Sequence, residues 1–236
     1  EREHRILAAL QGTDVPVPRV CLTSDDESVV GTPFFVMEFV PGRVFHDPTL
    51  PGVEPPDRAA MYDDMNRVLA ALHAVDYVAR GLVDYGKPGN YFSRQLGRWT
   101  QQYAAAKTHD IPSMDALVDW LPAHVPDDDT TTLVHGDFQI ANLLFHPTEP
   151  RVVALLDWEL STLGHPMADL AYGCHRYHVT PGGLAGNGIP TEEAYVARYC
   201  ERTGRSLIPG WNFYLAFSLF RLASIVQGVY KRGLQG

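Results

Sequence analysis

The distribution of apolar residues predicts a chain that mixes helices with short strands. Apolar side chains recur every three to four positions in several segments, as one face of an amphipathic helix requires. A further short helix is expected to be capped by Ser113, whose hydroxyl can accept a hydrogen bond from the first turn. The segments with helical spacing are residues 1–10, 55–75, 91–103, 192–202 and 211–230.

Short continuous apolar runs predict the strands. Residues 29–30 and 34–40 are expected to form a hairpin around a Gly-Thr-Pro turn. Two later runs, 133–145 and 152–159, are expected to pair as a second hairpin, because residues 146–151 have the composition of a turn. Both later runs carry Asp or Asn, which are depleted in strand interiors. These polar residues are therefore candidates for chemistry or for capping.

The strongly apolar segment 211–230 is interrupted by polar side chains, among them Arg221. A charge in mid-segment disfavours a span across a lipid bilayer, so a buried helix is expected. Arg221 is predicted to form a buried salt bridge, with neutralisation of an acidic substrate group as the alternative.

Composition narrows the class of protein. The chain has 236 residues, of which 45% are hydrophobic, so one large domain or two small lobes with a sizeable core are expected. The formal net charge of −9 argues against a nucleic-acid or anionic-membrane partner. Three cysteines without metal or disulfide spacing, and no visible signal peptide, predict a cytoplasmic protein. The oligomeric state is left open.

Three polar residues have a spacing that points to phosphoryl transfer. Asp137 and Asn142 lie five residues apart in the pattern His-x-Asp-x-x-x-x-Asn, and Asp157 follows fifteen residues later. This is the arrangement of a kinase catalytic loop followed by its metal-binding Asp. Asp137 would orient an alcohol and accept its proton, while Asn142 and Asp157 would supply hard oxygen ligands for Mg²⁺.

The combined motifs resemble the aminoglycoside-phosphotransferase-like small-molecule kinases. They are His-Gly-Asp-Phe at 135–138, Asn-Leu-Leu-Phe at 142–145, Leu-Asp-Trp-Glu at 156–159 and Gly-His-Pro-Met-Ala-Asp-Leu-Ala at 164–171. The last of these is most similar to the branch that occurs as the kinase-like part of certain acyl-CoA dehydrogenase proteins. The resemblance extends over nearly the whole chain.

The resemblance implies an α+β, protein-kinase-like fold of two lobes. Residues 1–40 would be the remnant of a truncated N-terminal ATP-binding lobe, and residues 41–236 a mostly helical lobe with the catalytic β-hairpin. The implied reaction uses ATP and Mg²⁺ to phosphorylate a hydroxyl of a small molecule. The branch favours a hydroxyacyl-CoA type of acceptor over an antibiotic.

The resemblance also assigns residues to the nucleotide. Backbone groups near Glu38 and Val40 would face the adenine edge, and Met37 or Phe39 would pack near its ring. Two further residues would brace the catalytic loop: His135 by hydrogen bonding, and Asp169 by accepting from the loop backbone.

The first predicted helix corresponds to the kinase helix whose Glu pairs with a phosphate-binding Lys. Glu3 is the preferred candidate for this Glu, with Glu1 as the alternative. No lysine precedes Glu3 and no Gly-rich phosphate loop is present, so a fragment of a longer chain is expected.

Three other functions remain open from the sequence. The absence of the lysine and of the Gly-rich loop also fits a pseudokinase or binding module without catalysis. An aminoglycoside-type antibiotic kinase is compatible with the same motifs. A metal-dependent hydrolase is the third, built from His135, Asp137, Asp157, His165 and Asp169.

Overall fold

The computed structural model describes residues 2–235 and has the expected mixture of helices and strands. The helices in this part of the chain are α1 (Arg2–Leu10), α2 (Glu27–Val30), α3 (Pro55–His73), α4 (Tyr91–Ala106), α5 (Pro112–Ala123), α6 (Met167–Cys174), α7 (Arg176–Val179), α8 (Glu192–Thr203) and α9 (Trp211–Gln235). The strands are β1 (Val20–Ser24), β2 (Phe34–Met37), β3 (Arg43–Val44), β4 (Thr132–Val134), β5 (Leu143–Phe145), β6 (Val152–Leu155) and β7 (Thr162–Gly164).

The long helices are held together by one apolar core. Helix α3 begins with two prolines and buries the predicted apolar face, including Met61, Val68 and Leu72. Helix α9 packs against α4, where the Phe92 ring lies 5.1 Å from that of Phe217. These contacts build the helical layer on which the strands carrying the catalytic motifs rest.

Helix α9 is long and apolar enough, by length and composition, to cross a membrane. Half of its most apolar window (50%) is buried within the described chain, where it packs on α4 and α6. The core helix of a globular domain passes the same test, so this property is weak evidence for a membrane span. The packing accounts for the apolar residues that the helix carries.

The strands of residues 2–235 form three small sheets, and the segments that carry Asp137, Asn142 and Asp157 adjoin two of them. Strands β5 and β6 pair antiparallel with Leu143 opposite Leu155, which confirms the predicted hairpin for residues 143–145 and 152–155. The first part of the predicted run, 133–142, is not in this hairpin, because residues 132–134 form the separate strand β4. Strand β3 adds to the outer edge of β5, and β4 pairs antiparallel with β7. The chain segments that follow β4 and β6 therefore emerge close to each other.

The predicted hairpin of residues 29–30 with 34–40 is wrong in its first strand. Residues 29–30 lie in the short helix α2, and β2 pairs instead with β1. Asp26 caps α2 by accepting from Ser28 N–H at 2.9 Å, and Gly31 ends it with φ at 86°. Local capping thus outweighs the strand preference of two valines.

The predicted cap of α5 is also wrong. The N-cap residue is Ile111, which offers no side-chain hydrogen bond, and Ser113 lies inside the helix. Pro112 starts the helix because its fixed φ suits the first helical position and its missing N–H would have no partner there.

The N-terminal segment is tied to the larger part of the chain by α1. The Arg2 guanidinium donates to the carbonyl oxygens of Tyr85 at 2.6 Å and Ser161 at 2.9 Å. Leu155 N–H of β6 donates to Pro16 O at 2.8 Å. These bonds place α1 next to the segment that follows the catalytic hairpin.

Candidate active site

Asp137 lies in the loop between β4 and a single 3₁₀ turn, Ile140–Asn142. The side-chain amide of Asn142 donates to both the backbone oxygen of Asp137, at 2.9 Å, and its Oδ2, at 2.8 Å. Gln139 Nε2 donates to the same Oδ2 at 2.9 Å. The structure therefore brings Asp137 and Asn142 into direct contact and fixes the orientation of the Asp137 carboxylate.

Asp157 follows β6 and reaches the same region. Leu156 N–H donates to Asn142 O at 2.9 Å, so the residue before Asp157 is bonded to the end of the catalytic loop. The backbone of Asp157 has φ at 65°, in the left-handed region that non-glycine residues rarely adopt. Such strained positions concentrate at functional sites.

The predicted brace by Asp169 is confirmed. Its carboxylate is buried and accepts from His135 N–H at 2.6 Å and from Gly136 N–H at 2.8 Å. His73 Nε2 lies 3.4 Å from the same carboxylate. Burial alone would raise the pKa of Asp169, but the hydrogen bond and charge of His73, with His135, outweigh it and leave this pKa below its usual value.

The predicted brace by His135 is confirmed too. Its Nδ1 accepts from Asp137 N–H at 3.2 Å, so the proton belongs on Nε2, which donates to Leu156 O at 2.9 Å. Burial lowers the pKa of His135. A neutral imidazole of one tautomer thus links the loop of Asp137 to the segment of Asp157.

Gly136 is required by the shape of the loop. Its φ is 84°, and a Cβ built on it would collide with the carbonyl oxygen of Leu160. Glycine adopts this conformation without steric cost. The close approach lets the catalytic loop lie directly against the segment that follows Asp157.

The predicted salt bridge of Arg221 is wrong for the described chain. No carboxylate of residues 2–235 lies within ion-pair distance; instead, Arg221 Nη2 donates to Gly136 O at 2.7 Å. Its guanidinium carbon lies 4.6 Å from the centre of the Tyr172 ring and 5.5 Å from the nearest Trp99 ring centre. The guanidinium is therefore held by a carbonyl and by two aromatic faces.

Tyr172 is a residue of this region that the sequence did not single out. It lies on α6, three positions after Asp169, and is buried beside the catalytic loop. Burial, with the nearby charge of Asp137, raises the pKa of Tyr172 to about 12. Its position one helical turn after the brace is the only sequence signal that could have identified it.

The residues predicted to contact nucleotide lie away from this loop in sequence. Glu3 lines a cavity between α1 and the β1–β2 hairpin. Met37 ends β2 and is 45% exposed, and Val40 is half-buried. Glu38 N–H donates to Arg19 O at 2.9 Å, so this donor is already engaged. Their nucleotide contacts stay predictions.

Glu1, the alternative to Glu3, lies outside the described residues.

The side-chain oxygens near the loop suit the coordination of a magnesium ion. Because the Asn142 amide nitrogen faces Asp137, its Oδ1 points away from that carboxylate. The Asp157 carboxylate is exposed and makes no hydrogen bond or ion pair within residues 2–235. One carboxylate and one amide oxygen, completed by phosphate and water oxygens, form a usual Mg²⁺ site.

The same region does not offer the metal ligands of the metal-dependent hydrolase. His135 Nε2 is used by Leu156 O, and both Asp169 oxygens accept from backbone N–H groups. Over residues 2–235, no group of three or more His, Cys, Asp or Glu side chains could hold a metal ion. Two of the five groups that such a site needs, those of His135 and Asp169, are committed to holding the loop.

The family follows from a comparison with family models. Residues 1–217 match the model of the phosphotransferase enzyme family. The chain belongs to this family. The mixed helix-and-strand architecture around the catalytic hairpin is accordingly the kinase-like fold that its members share.

The relatives of this phosphotransferase support the branch expected from the motifs. It is 50% identical over 246 residues to acyl-CoA dehydrogenase family member 10 of Mus musculus, covering 100% of this chain and 23% of the relative. It is 44% identical over 246 residues to acyl-CoA dehydrogenase family member 11 of Homo sapiens, covering 100% of this chain and 32% of the relative. The chain thus spans about a quarter to a third of the length of these relatives.

A solved structure is similar over the whole phosphotransferase chain. It is a Ralstonia eutropha protein provisionally described as an aminoglycoside phosphotransferase, with 57% identity and a TM-score of 0.96. The match covers 100% of this chain and 75% of the other.

Proposed function

We propose that this phosphotransferase uses ATP and Mg²⁺ to phosphorylate a hydroxyl group of a small molecule. The observation that carries the proposal is the contact between Asp137 and Asn142, with Asp157 bonded through its neighbour to the same loop. Phosphoryl transfer needs an oriented alcohol, an acceptor for its proton and neutralisation of the phosphate charge. This loop offers a group for each requirement.

Asp137 is the proposed base. Two side-chain amides, from Gln139 and Asn142, hold its Oδ2, so the carboxylate is presented in one orientation to an acceptor alcohol. Asn142 and Asp157 would hold Mg²⁺, which supplies charge neutralisation for the nucleotide phosphates. The loop backbone donates a hydrogen bond to Asp169, and His135 bonds to Leu156 O. Both bonds keep the loop rigid, which lowers the cost of reaching the reactive geometry.

The proposed nucleotide contacts come from the N-terminal segment. Glu3 would belong to the phosphate side, Met37 would pack on the base, and backbone groups of Glu38 and Val40 would face its edge. We propose the lobe division accordingly, with residues 1–40 in the ATP-binding lobe and 41–236 as the catalytic and substrate lobe. The pairing of β3 with β5 supports this boundary, because residues just after Val40 join the sheet of the catalytic hairpin.

The proposed acceptor is a hydroxyacyl-CoA type of molecule. It is supported by the names of the two mammalian relatives, both acyl-CoA dehydrogenase family members. We propose a cytoplasmic location, because the three cysteines show no disulfide spacing. We propose no nucleic-acid or membrane partner, because the net charge is −9.

The alternatives are a binding module without catalysis and an aminoglycoside-type kinase. The aminoglycoside-type kinase is supported by the description of the Ralstonia eutropha structure.

The test is a mass-spectrometric screen of the purified protein with Mg-ATP. Hydroxyacyl-CoAs and aminoglycosides are offered separately, and the gain of one phosphoryl group is followed, with Asp137→Asn as the blank. Transfer to a hydroxyacyl thioester that the variant loses is the expected result. Transfer to aminoglycosides alone would favour the antibiotic kinase. Nucleotide binding without transfer to any acceptor would favour the binding module.

A further inference from the structure

Arg221 is a buried cation without a counter-charge in the described chain. It is only 8% exposed, yet no carboxylate of residues 2–235 pairs with it. Its Nε has no hydrogen-bond partner there, and the buried Nε1 of Trp99, next to it, has none either. Two buried donors are thus left unused at one place.

Such an arrangement is costly unless something else satisfies it. A buried ion needs a partner of opposite charge or several hydrogen bonds, and one carbonyl bond with two aromatic faces supplies only part of this. A buried donor left unpaired loses its hydrogen bonds to water and gains none in return. Two such donors side by side call for a partner from outside the chain, a water molecule or a ligand group.

The two residues that carry these donors, Arg221 and Trp99, line a cavity beside the loop of Asp137. Its volume is about 300 Å³, and Gly136, the residue before Asp137, forms part of its wall. Arg2 and Arg98 also line it, together with one carboxylate, that of Glu159. We call this cavity the arginine pocket.

The charges of the arginine pocket favour an anion at its inner end. Arg2 is anchored by carbonyl oxygens and makes no ion pair within residues 2–235, and exposed Arg98 makes none there either. Glu159 is exposed at the rim, whereas Arg221 is buried. Three guanidinium groups against one carboxylate leave the pocket positive, although the whole chain carries a charge of −9.

We propose that the arginine pocket binds an anionic group of the acceptor, a carboxylate or a phosphate ester, and thereby orients its hydroxyl toward Asp137. The proposal rests on the proposed function and names the chemistry of its acceptor. Guanidinium groups recognise both kinds of anion through paired N–H donors. The bond from Arg221 to Gly136 O connects the bound anion to the catalytic loop.

The first experiment measures binding without nucleotide, so that it does not depend on phosphate transfer. Calorimetry compares 3-hydroxybutyrate with its neutral methyl ester, and 3-hydroxybutyryl-CoA with its neutral N-acetylcysteamine thioester. The anionic member of at least one pair is expected to bind at least about tenfold more tightly, because a charge-assisted hydrogen bond discriminates by this order. The pair that shows the difference identifies the anion as carboxylate or phosphate.

The second experiment tests whether the pocket causes the preference. Arg98→Gln removes one charge at the exposed rim and is expected to weaken binding of the anionic ligand about fivefold or more, while the neutral partner changes less than about twofold. Arg232→Gln, an exposed arginine of α9 outside the pocket, is the control and is expected to change neither. In the transferase assay, Arg98→Gln should raise KM for the anionic acceptor and leave kcat within about twofold.

Arg221 itself is tested by Arg221→Lys, which keeps the charge but loses the planar donor pair. Thermal melting first establishes that the variant folds, and the anionic ligand should then lose affinity while its neutral partner does not. Equal binding of anionic and neutral ligands by the unchanged protein, or equal losses for both in Arg98→Gln, would overturn the proposal. Absent phosphate transfer with intact anion preference would instead count against the proposed function alone.

Discussion

The carboxylate of Asp169 holds the backbone of Gly136, 33 residues earlier in the chain, through a hydrogen bond of 2.8 Å. The same carboxylate also accepts a hydrogen bond from His135 N–H. Asp169 therefore fixes the two residues that precede Asp137 without reaching the reacting atoms. The position of Asp137, the proposed base, therefore depends on a buried carboxylate far from it in sequence.

Asp169→Asn is expected to destabilise the protein by about 3 kcal/mol, because the amide turns one of its N–H groups toward backbone donors. Urea unfolding followed by circular dichroism measures the change. Asp57→Asn, at the exposed first turn of α3, is the control and should remain within about 0.5 kcal/mol. Equal stabilities of the two variants would contradict the brace.

Asp137→Asn is expected to lower kcat for phosphate transfer by about 10²–10⁴-fold, the usual contribution of a positioned base. Its melting temperature should hardly change, because the amide can keep a bond to Gln139 or Asn142. Asp119→Asn, on the exposed face of α5, provides the matched loss of charge. A variant at position 137 with more than about a tenth of the rate would exclude Asp137 as the base.

Asp157→Asn is expected to weaken the affinity for Mg-nucleotide by about tenfold or more, because Mg²⁺ loses a carboxylate ligand. Asparagine tolerates the left-handed backbone at this position, so the fold is retained. Calorimetry with and without Mg²⁺ separates the effects, and affinity without the ion should be unchanged. Glu159→Gln, two residues later, should leave the Mg²⁺ dependence as it was. If Glu159→Gln instead weakened the Mg²⁺-dependent affinity for nucleotide, Glu159 and not Asp157 would be the metal ligand.

Gly136→Ala is expected to destabilise by about 2 kcal/mol or more, since a positive φ alone costs about 1–2 kcal/mol. The added Cβ also meets the Leu160 carbonyl. Gly204→Ala isolates the first effect, because Gly204 has a φ of 67° and open space around it. Denaturant unfolding of both variants should show the larger loss at 136. The contact with Leu160 would be unimportant if the two losses matched.

Stability is expected to fall as pH drops from about 6.5 to 4. Burial lowers the pKa of His175 to about 4 and lowers that of His135 from its usual 6.5. Below pH 6.5 the unfolded chain binds protons that the folded chain resists, so the free energy of unfolding decreases, by at most about 1.4 kcal/mol per pH unit for each histidine. The lowered pKa of Asp169 affects the free energy of unfolding only below about pH 3.8, the usual pKa of an aspartate.

Urea unfolding at half-unit steps of pH measures this slope. His175→Gln should flatten it, while His109→Gln, an exposed histidine, should leave it unchanged. A stability that is constant over this range would show that these histidines charge freely in the folded protein.

The parts of the site encoded by short-range spacing were predictable. The five-residue interval from Asp137 to Asn142 fits one tight loop, and a turn of six residues fits the hairpin that leads to Asp157. The braces from His135 and Asp169 came from the family resemblance, and the structure confirms both. Local geometry and known motifs therefore gave the centre of the site.

Contacts set by tertiary packing were not predictable. Arg221 meets Gly136 across 85 residues, and the sequence favoured a salt bridge because a buried arginine usually has one. Tyr172 carries no motif, since its importance depends on which face of α6 meets the loop. In the N-terminal segment, two adjacent valines suggested a strand where Asp26 and Gly31 bound a helical turn.

The left-handed backbone of Asp157 has a consequence for engineering this enzyme. Glycine would relax that conformation, and relaxed backbones accumulate when variants are selected for heat resistance alone. Libraries screened only for survival at high temperature are therefore expected to enrich glycine at position 157. The resulting proteins would be more thermostable but inactive, because they lack the carboxylate. Selection that alternates heating with an assay of turnover would keep the carboxylate.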